Sequence, residues 1–283
     1  FSTPSLLLAG LVLLIMGMLD DAQPRPAWLR LVVQVLAASI VVMQGISITS
    51  LGQLFGDQPF ILSHTGQWFS IVAIVGCINA FNMLDGCDGL AAMMGVVCLS
   101  ALCLISGVCP IDYGLMLPLL VCFLWDNFRW VKKRPARVFL GDSGSMLLGL
   151  WVAACAIQLS QLPWVDMGQD VAMTSWLTPV SVLWCLALPL FDVGQVMIRR
   201  VLARQSPLSP DRQHLHCALI DRGFGLYKTV MLMILIQLLL VVLATMALFL
   251  GMSEAELFLC FLIASVAYFV IVGRVLARKE LTT

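Results

Sequence analysis

The sequence predicts an all-α, polytopic integral membrane helix bundle with about nine transmembrane helices. Three observations predict it. Hydrophobic residues make up 61% of 283 positions and charged residues 11%, against about 45–50% and about 25% in an average soluble domain. The apolar residues gather into nine runs near the roughly 17–25 residues that a spanning helix needs. All sixteen Lys and Arg residues fall on alternate connections between those runs, and the positive-inside rule places that side in the cytoplasm. The amino end then lies outside and the carboxyl end inside. A wrong count of spans would scramble this segregation.

The first run, 3–19, closes on MLDDAQPRP, where Asp20 and Asp21 stand side by side at a helix end. Adjacent acids repel, and burying them unpaired is expensive. The second run is 31–48. The third, 68–84, ends in NAFNMLDGCDGL, with Asn79, Asn82, Asp85 and Asp88 recurring every three residues, so that each neighbouring pair shares a helix face. A turn into the fourth run, 89–107, needs acids at its tip but no amides one and two turns upstream; intramembrane polar groups point to function. Gly86 and Gly89 permit close backbone approach there.

The fifth run, 114–128, is short, and its polar end WDNFRW reads as helix continuing into the interface, anchored by Trp125 and Trp130. RVFLGDSGSMLLG leads into the sixth run, 143–162. Asp142 suits a helix N-cap, and the amides of that helix start suit a phosphate. The seventh run, 175–198, is followed by the longest basic connection, 199–228, which holds His214 and His216, two of the three histidines. A basic loop with imidazole donors matches a phosphorylated ligand better than a zinc site of His214, His216 and Cys217, which lacks a fourth ligand. Runs eight and nine are 229–250 and 255–273.

The ten cysteines are scattered through apolar runs without a Cys-x-x-Cys pair, and read as small hydrophobes. The outer acids Asp57, Asp112, Asp166, Asp170, Glu254 and Glu256 read as solvated, as does His64. The chain opens on Phe1, directly into an apolar run, and is expected to be a single transmembrane domain, 1–283, lacking upstream spans. Four polar clusters thus fall on one membrane face with the basic residues. Carboxylates, a divalent metal, cations and a membrane groove together suggest phosphoryl chemistry on a lipid. A transporter would need ionisable groups along a route between the two faces; a scaffold that kept the fold without the activity is the other alternative.

LDD at 19–21, NAFNMLDGCDGL at 79–90, VFLGDSGS at 138–145 and SPDRQHLH at 209–216 together resemble the motifs of the polyprenyl-phosphate N-acetylhexosamine-1-phosphate transferases, glycosyltransferase family 4. The likeness is strongest to the bacterial branch acting on undecaprenyl phosphate. Members carry about two further spans upstream, and their histidine motif commonly ends in another His where this chain has Cys217. The resemblance implies transfer of a sugar-1-phosphate, N-acetylglucosamine-1-phosphate first among the candidates, from a UDP-sugar to undecaprenyl phosphate. UMP is released, at the start of O-antigen or related surface polysaccharide synthesis in the bacterial inner membrane. It implies Mg²⁺, with Mn²⁺ as the alternative, held by Asn82 and Asp142. Asp20, Asp21, Asp85, Asp88 and His214 form the catalytic group in this reading. Asn79, Phe139 (stacked on uracil), Arg212, His214 and His216 contact substrate, with 199–228 as the recognition loop. Membrane lipid is an expected partner, nucleic acid is not, and a homodimer stays open.

Overall fold

The computed structural model describes residues 3–56, 58–127, 136–161, 177–206 and 214–280. Each of the nine apolar runs holds helix. In chain order these are α1 (Thr3–Ala22), α2 (Ala27–Met43), α3 (Thr65–Leu84), α4 (Leu90–Ser106), α6 (Met116–Asn127), α7 (Gly141–Ser160), the pair α8 (Pro179–Cys185) and α9 (Ala187–Leu202), α11 (Leu226–Phe249) and α12 (Glu254–Glu280). Two short helices, α5 (Ile111–Gly114) and α10 (Leu215–Asp221), lie in connections. Helices α1, α3, α7, α11 and α12 are long and apolar enough to cross a bilayer, and the α8–α9 pair makes a sixth. With 17 residues each, α2 and α4 sit at the lower edge of the spanning range. Helix α6 has 12, the same run that is short in sequence. The protein is a multi-pass membrane helix bundle.

Helix α7 is the hub. From Ser145 to Ile157 it is buried on nearly every side, the signature of a helix with neighbours all round. Small residues set its crossings. A Cβ at Gly17 would fall 2.2 Å from the Ser143 Cα, and one at Gly149 would fall 2.6 Å from the Ile78 Cα. Backbones come this close only where a side chain is missing, which is how small residues drive helix packing in lipid. The pairings Gly10–Trp151 and Gly17–Ser143 make α1 antiparallel to α7. The pairs Gly149–Ile78 and Asn82–Asp142 do the same for α3. The end of α1, the end of α3 and the start of α7 therefore share one rim, the one flanked by the Lys and Arg residues.

At the opposite rim a short hairpin, bridged at Ser50 and Ile61, docks on the end of α7. The Gln161 carboxamide accepts from the Thr49 and Ser50 amides at 3.0 Å each and donates to the Ser50 carbonyl at 3.1 Å. Glu254 accepts from the Gln53 amide at 3.1 Å, so this outer acid, expected to be solvated, fastens the hairpin to α12.

The seventh run is not the straight helix its composition suggests. It bends by 81° between α8 and α9. Pro189 has no N–H to give the Cys185 carbonyl, and the bend also frees the Trp184 carbonyl and the Leu188 amide. Fully buried Gln237 of α11 serves all three. Its Nε2 donates to the Trp184 and Cys185 carbonyls at 3.0 Å each, and its Oε1 accepts from the Leu188 N–H at 2.8 Å. Broken helices persist at membrane depth only with such substitutes. Helices α11 and α12 expose Leu235, Leu239, Leu243, Leu262, Ile263 and Val266, the side chains that meet lipid.

Candidate active site

Asp21, on the last turn of α1, faces the start of α7. Its carboxylate accepts from the Asp142 amide at 2.9 Å and from the Ser143 amide and hydroxyl at 3.3 and 2.9 Å. Gly141, at φ +67°, has no Cβ; one would lie 2.8 Å from Asp21 Oδ2. The left-handed glycine lets α1 and α7 close on each other. The Gly141 amide donates to Asp85. Two protein carboxylates thus occupy the amides at the start of α7, which the sequence alone offered to a phosphate. Asp142 is likewise not the N-cap: Leu140 stands there, and Asp142 lies inside the first turn.

Asp142 turns toward its neighbours instead. Asn82 donates through Nδ2 to Asp142 Oδ1 at 2.6 Å and to the Ser145 hydroxyl at 3.0 Å. The carboxyls of Asp20 and Asp142 are in hydrogen-bonding contact. Arg30 of α2 lies 2.9 Å from Asp20 Oδ2 and 3.7 Å from Asp142 Oδ2. Asp20 is buried and also accepts from the Arg25 amide. Two carboxyls face to face either share a proton or need a cation beside them to stay ionised. Asp85 follows the end of α3. Burial, and next the charge of Asp142, push its carboxyl up to about 7, with Asp21 and Asp88 adding to the rise and the Gly141 N–H opposing it.

The histidine segment closes the other side. A Cβ at Gly86 would meet His216 Nε2 at 2.4 Å, so the imidazole sits directly on the LDGCDG turn. His216 is buried, and its Nδ1 has no hydrogen-bond partner among the described residues. Burial holds its ring down to about 4, so it is neutral near pH 7. His214 stacks on it, centroids 5.4 Å apart and 9° from parallel. The Cys87 thiol, pushed up to about 12 by burial and then by neighbouring Cys217, stays protonated. Asp88 is half-buried at the same turn, beside the left-handed Gly89 that starts α4.

Asp20, Asp21, Asn82, Asp85, Asp142, His214 and His216 are therefore brought together. Asn79 is not in contact with that group through its amide nitrogen, which donates to Gln34 Oε1 at 2.7 Å and to the Val75 carbonyl at 2.8 Å, one turn deeper. Phe139 presents an exposed ring just before α7. Arg137 is exposed, 3.9 Å from Asp126. Arg212, Trp130, Lys132, Lys133, Arg134, Asp166 and Asp170 lie outside the described residues. Sequence reasoning missed two groups. Arg30 was counted only as a topology charge, although Asp20 demanded a cationic partner. Asp192, inside the seventh run, is 1% exposed and pairs with His214 Nδ1 at 2.8 Å; the signal for it was a lone acid in an apolar span.

A divalent cation fits this donor set in a limited way. Among the described residues no three His, Cys, Asp or Glu side chains converge as a complete metal cage. Magnesium does not need one, since it is commonly held by one or two carboxylates together with substrate phosphates and water. Asp20 and Asp142, facing each other beside the Asn82 amide, provide that much.

Fold and site define a class: a multi-pass membrane helix bundle with a carboxylate and histidine centre at one rim. The comparison with known families makes this specific. Residues 3–160 match the model of Glycosyl transferase family 4, and the chain belongs to that family. It is 31% identical over 219 residues to the undecaprenyl-phosphate alpha-N-acetylglucosaminyl 1-phosphate transferase of Escherichia coli K12, covering 75% of this chain and 57% of that protein. The protein of the same description from Yersinia pestis is 33% identical over 229 residues, 76% of this chain and 58% of its own length. A Bacillus subtilis protein described as a probable undecaprenyl-phosphate N-acetylglucosaminyl 1-phosphate transferase is 29% identical over 227 residues, 80% and 60% respectively. The chain thus spans somewhat under three-fifths of the first two relatives and 60% of the third.

Proposed function

We propose that this protein transfers a sugar-1-phosphate, N-acetylglucosamine-1-phosphate first among the candidates, from a UDP-sugar to undecaprenyl phosphate at the cytoplasmic face of a bacterial inner membrane. An oxygen of the lipid phosphate attacks the sugar-linked phosphorus. The bond from that phosphorus to the UMP oxygen breaks, and UMP leaves with the electron pair. The observation that carries this reading is the meeting of the motifs at 19–21, 79–90 and 138–145 around Asp142, with His216 of the fourth motif set against Gly86. The names of the relatives support the acceptor and the sugar phosphate.

Both reactants are anions, so the difficulty is electrostatic. Mg²⁺ would be held by Asp20 and Asp142, and by Asn82 only through Oδ1 in place of the Nδ2 it now gives to Asp142, and would supply neutralisation of the diphosphate and of the leaving group. Arg30, beside the same two acids, supplies a fixed cation where the lipid phosphate arrives. Asp21 locks the start of α7 so that Asp142 keeps its direction. Little base catalysis is needed, because a phosphate monoester with a second pKa near 6 is already mostly dianionic. Asp85, its carboxyl raised by burial and by the charge of Asp142, can take up or release a proton beside that phosphate. His214 and, by its place in the 199–228 recognition sequence, Arg212 are the groups we assign to the diphosphate and sugar, and exposed Phe139 offers a face to uracil.

Membranes carrying the full chain, given UDP-N-acetylglucosamine with a labelled sugar, undecaprenyl phosphate and Mg²⁺, should form labelled lipid. Asp142→Asn should abolish that product by at least about 100-fold while the protein inserts normally. Full activity of Asp142→Asn would remove the acidic centre from the mechanism.

A further inference from the structure

The mechanism leaves one buried polar cluster unused. Asp192 of α9 accepts through Oδ1 from the Leu215 amide at 3.1 Å and from the Tyr268 hydroxyl at 2.9 Å, and its Oδ2 lies 2.8 Å from His214 Nδ1. Asp192 is 1% exposed and His214 5%. Two donors on Oδ1 and an imidazole against Oδ2 suit an ionised carboxylate, which can only accept. The proton between Asp192 and His214 therefore belongs to Nδ1, and Nε2 is the nitrogen left to act on a ligand.

The ring is also fixed out of its plane. His214 stacks on His216, whose Nε2 rests on Gly86, the residue after Asp85. The 81° bend before α9 redirects the chain that carries Asp192, and Tyr268 comes from α12, near the other end of the sequence. The histidine segment, whose preceding residues 207–213 lie outside the described ones, is thereby tied to the helix bundle at a defined point.

We propose that Asp192, assisted by Tyr268, is a positioning residue that sets the Nδ1–H tautomer and the orientation of His214. Taking His214 as a group that touches the UDP-sugar rests on the function proposed above. Partners that orient a histidine from behind are worth roughly 10- to 100-fold in metal sites when removed, and loss of this one should act on the rate of the chemical step. Asp192→Asn should lower kcat by about 10- to 100-fold and leave KM for UDP-N-acetylglucosamine within about twofold. Tyr268→Phe, which keeps the carboxylate and removes one donor, should give a smaller loss in the same direction. In a His214→Ala background Asp192→Asn should add nothing; a purely structural role would add its own loss.

The test has two arms on the full chain in lipid nanodiscs. Kinetics of the four variants are read beside ¹⁵N solid-state NMR of protein labelled at histidine, which has only three such residues to assign. A protonated Nδ1 on His214 that is lost in Asp192→Asn, with the kcat losses above, supports the proposal. An unprotonated Nδ1 in the wild type overturns it, as does unchanged kcat in Asp192→Asn or additive loss with His214→Ala. No transfer by the wild type would count against the transferase reading alone, and the tautomer then still decides the assignment of Asp192.

Discussion

At the scale of single residues the site is a matter of which groups may carry charge side by side. Asp20 and Asp142 touch, Arg30 lies against both, and Asp85 is pushed up to about 7 by burial and by Asp142. His216 is the titration most readily tested. Its folded value of about 4 lies below the ordinary 6.5, so between those values the unfolded chain binds more protons than the folded one. Its contribution to stability is complete above about pH 6.5 and is lost as pH falls toward 4. Thermal unfolding from pH 7 to 4 should fall more steeply in the wild type than in His216→Gln; equal slopes would show that the ring is not held neutral. Gly86 offers a second test. A methyl group there meets His216 Nε2 at 2.4 Å, so Gly86→Ala should displace the histidine segment and lower transfer by roughly tenfold or more. Much of this was legible in sequence, because Asp, Asn and His stand out against an apolar background. Arg30 and Asp192 were not: a cation at a span's edge looks like a topology signal, and only the folded chain brings His214 against an acid inside α9.

Helices hold these residues in place through missing side chains and borrowed hydrogen bonds. Gly149 lets α3 and α7 meet backbone to backbone, which brings Asn82 to Asp142. Replacing it with Leu should separate the helices and cost about 1–3 kcal/mol by overpacking, read as loss of folded protein on heating in detergent. Gln237 repairs the bend between α8 and α9. Gln237→Leu would leave the Trp184 and Cys185 carbonyls and the Leu188 amide unserved, at about 1–3 kcal/mol for each buried group left unmade. A variant as stable as the wild type would mean that the bend finds other partners. The helices themselves follow from nine apolar runs, yet the bend does not. Pro189 was visible, but a proline in an apolar run can kink a helix or be absorbed by it. The outcome is decided by a glutamine 48 residues away on α11.

Across the whole molecule, alternate crossing turns sequence separation into spatial proximity. Antiparallel α1 and α3 against α7 put the ends of two helices and the start of a third on one rim, where His216 rests on Gly86 and His214 pairs with Asp192 of α9. Segregation of all sixteen cations to one set of connections foretold that rim. The side from which each histidine approaches was beyond its reach. His64, before α3, lies at the far rim, about 30 Å away along a 20-residue helix. That separation supplies an internal control for the most direct test. With Mn²⁺ in place of Mg²⁺ and UDP-N-acetylglucosamine bound, paramagnetic broadening should erase the ¹⁵N ring signals of His214 and His216 and spare His64, and Asp142→Asn should restore them. Broadening that spares His214 and His216, or that persists without the Asp142 carboxylate, would contradict a single centre built from the four motifs.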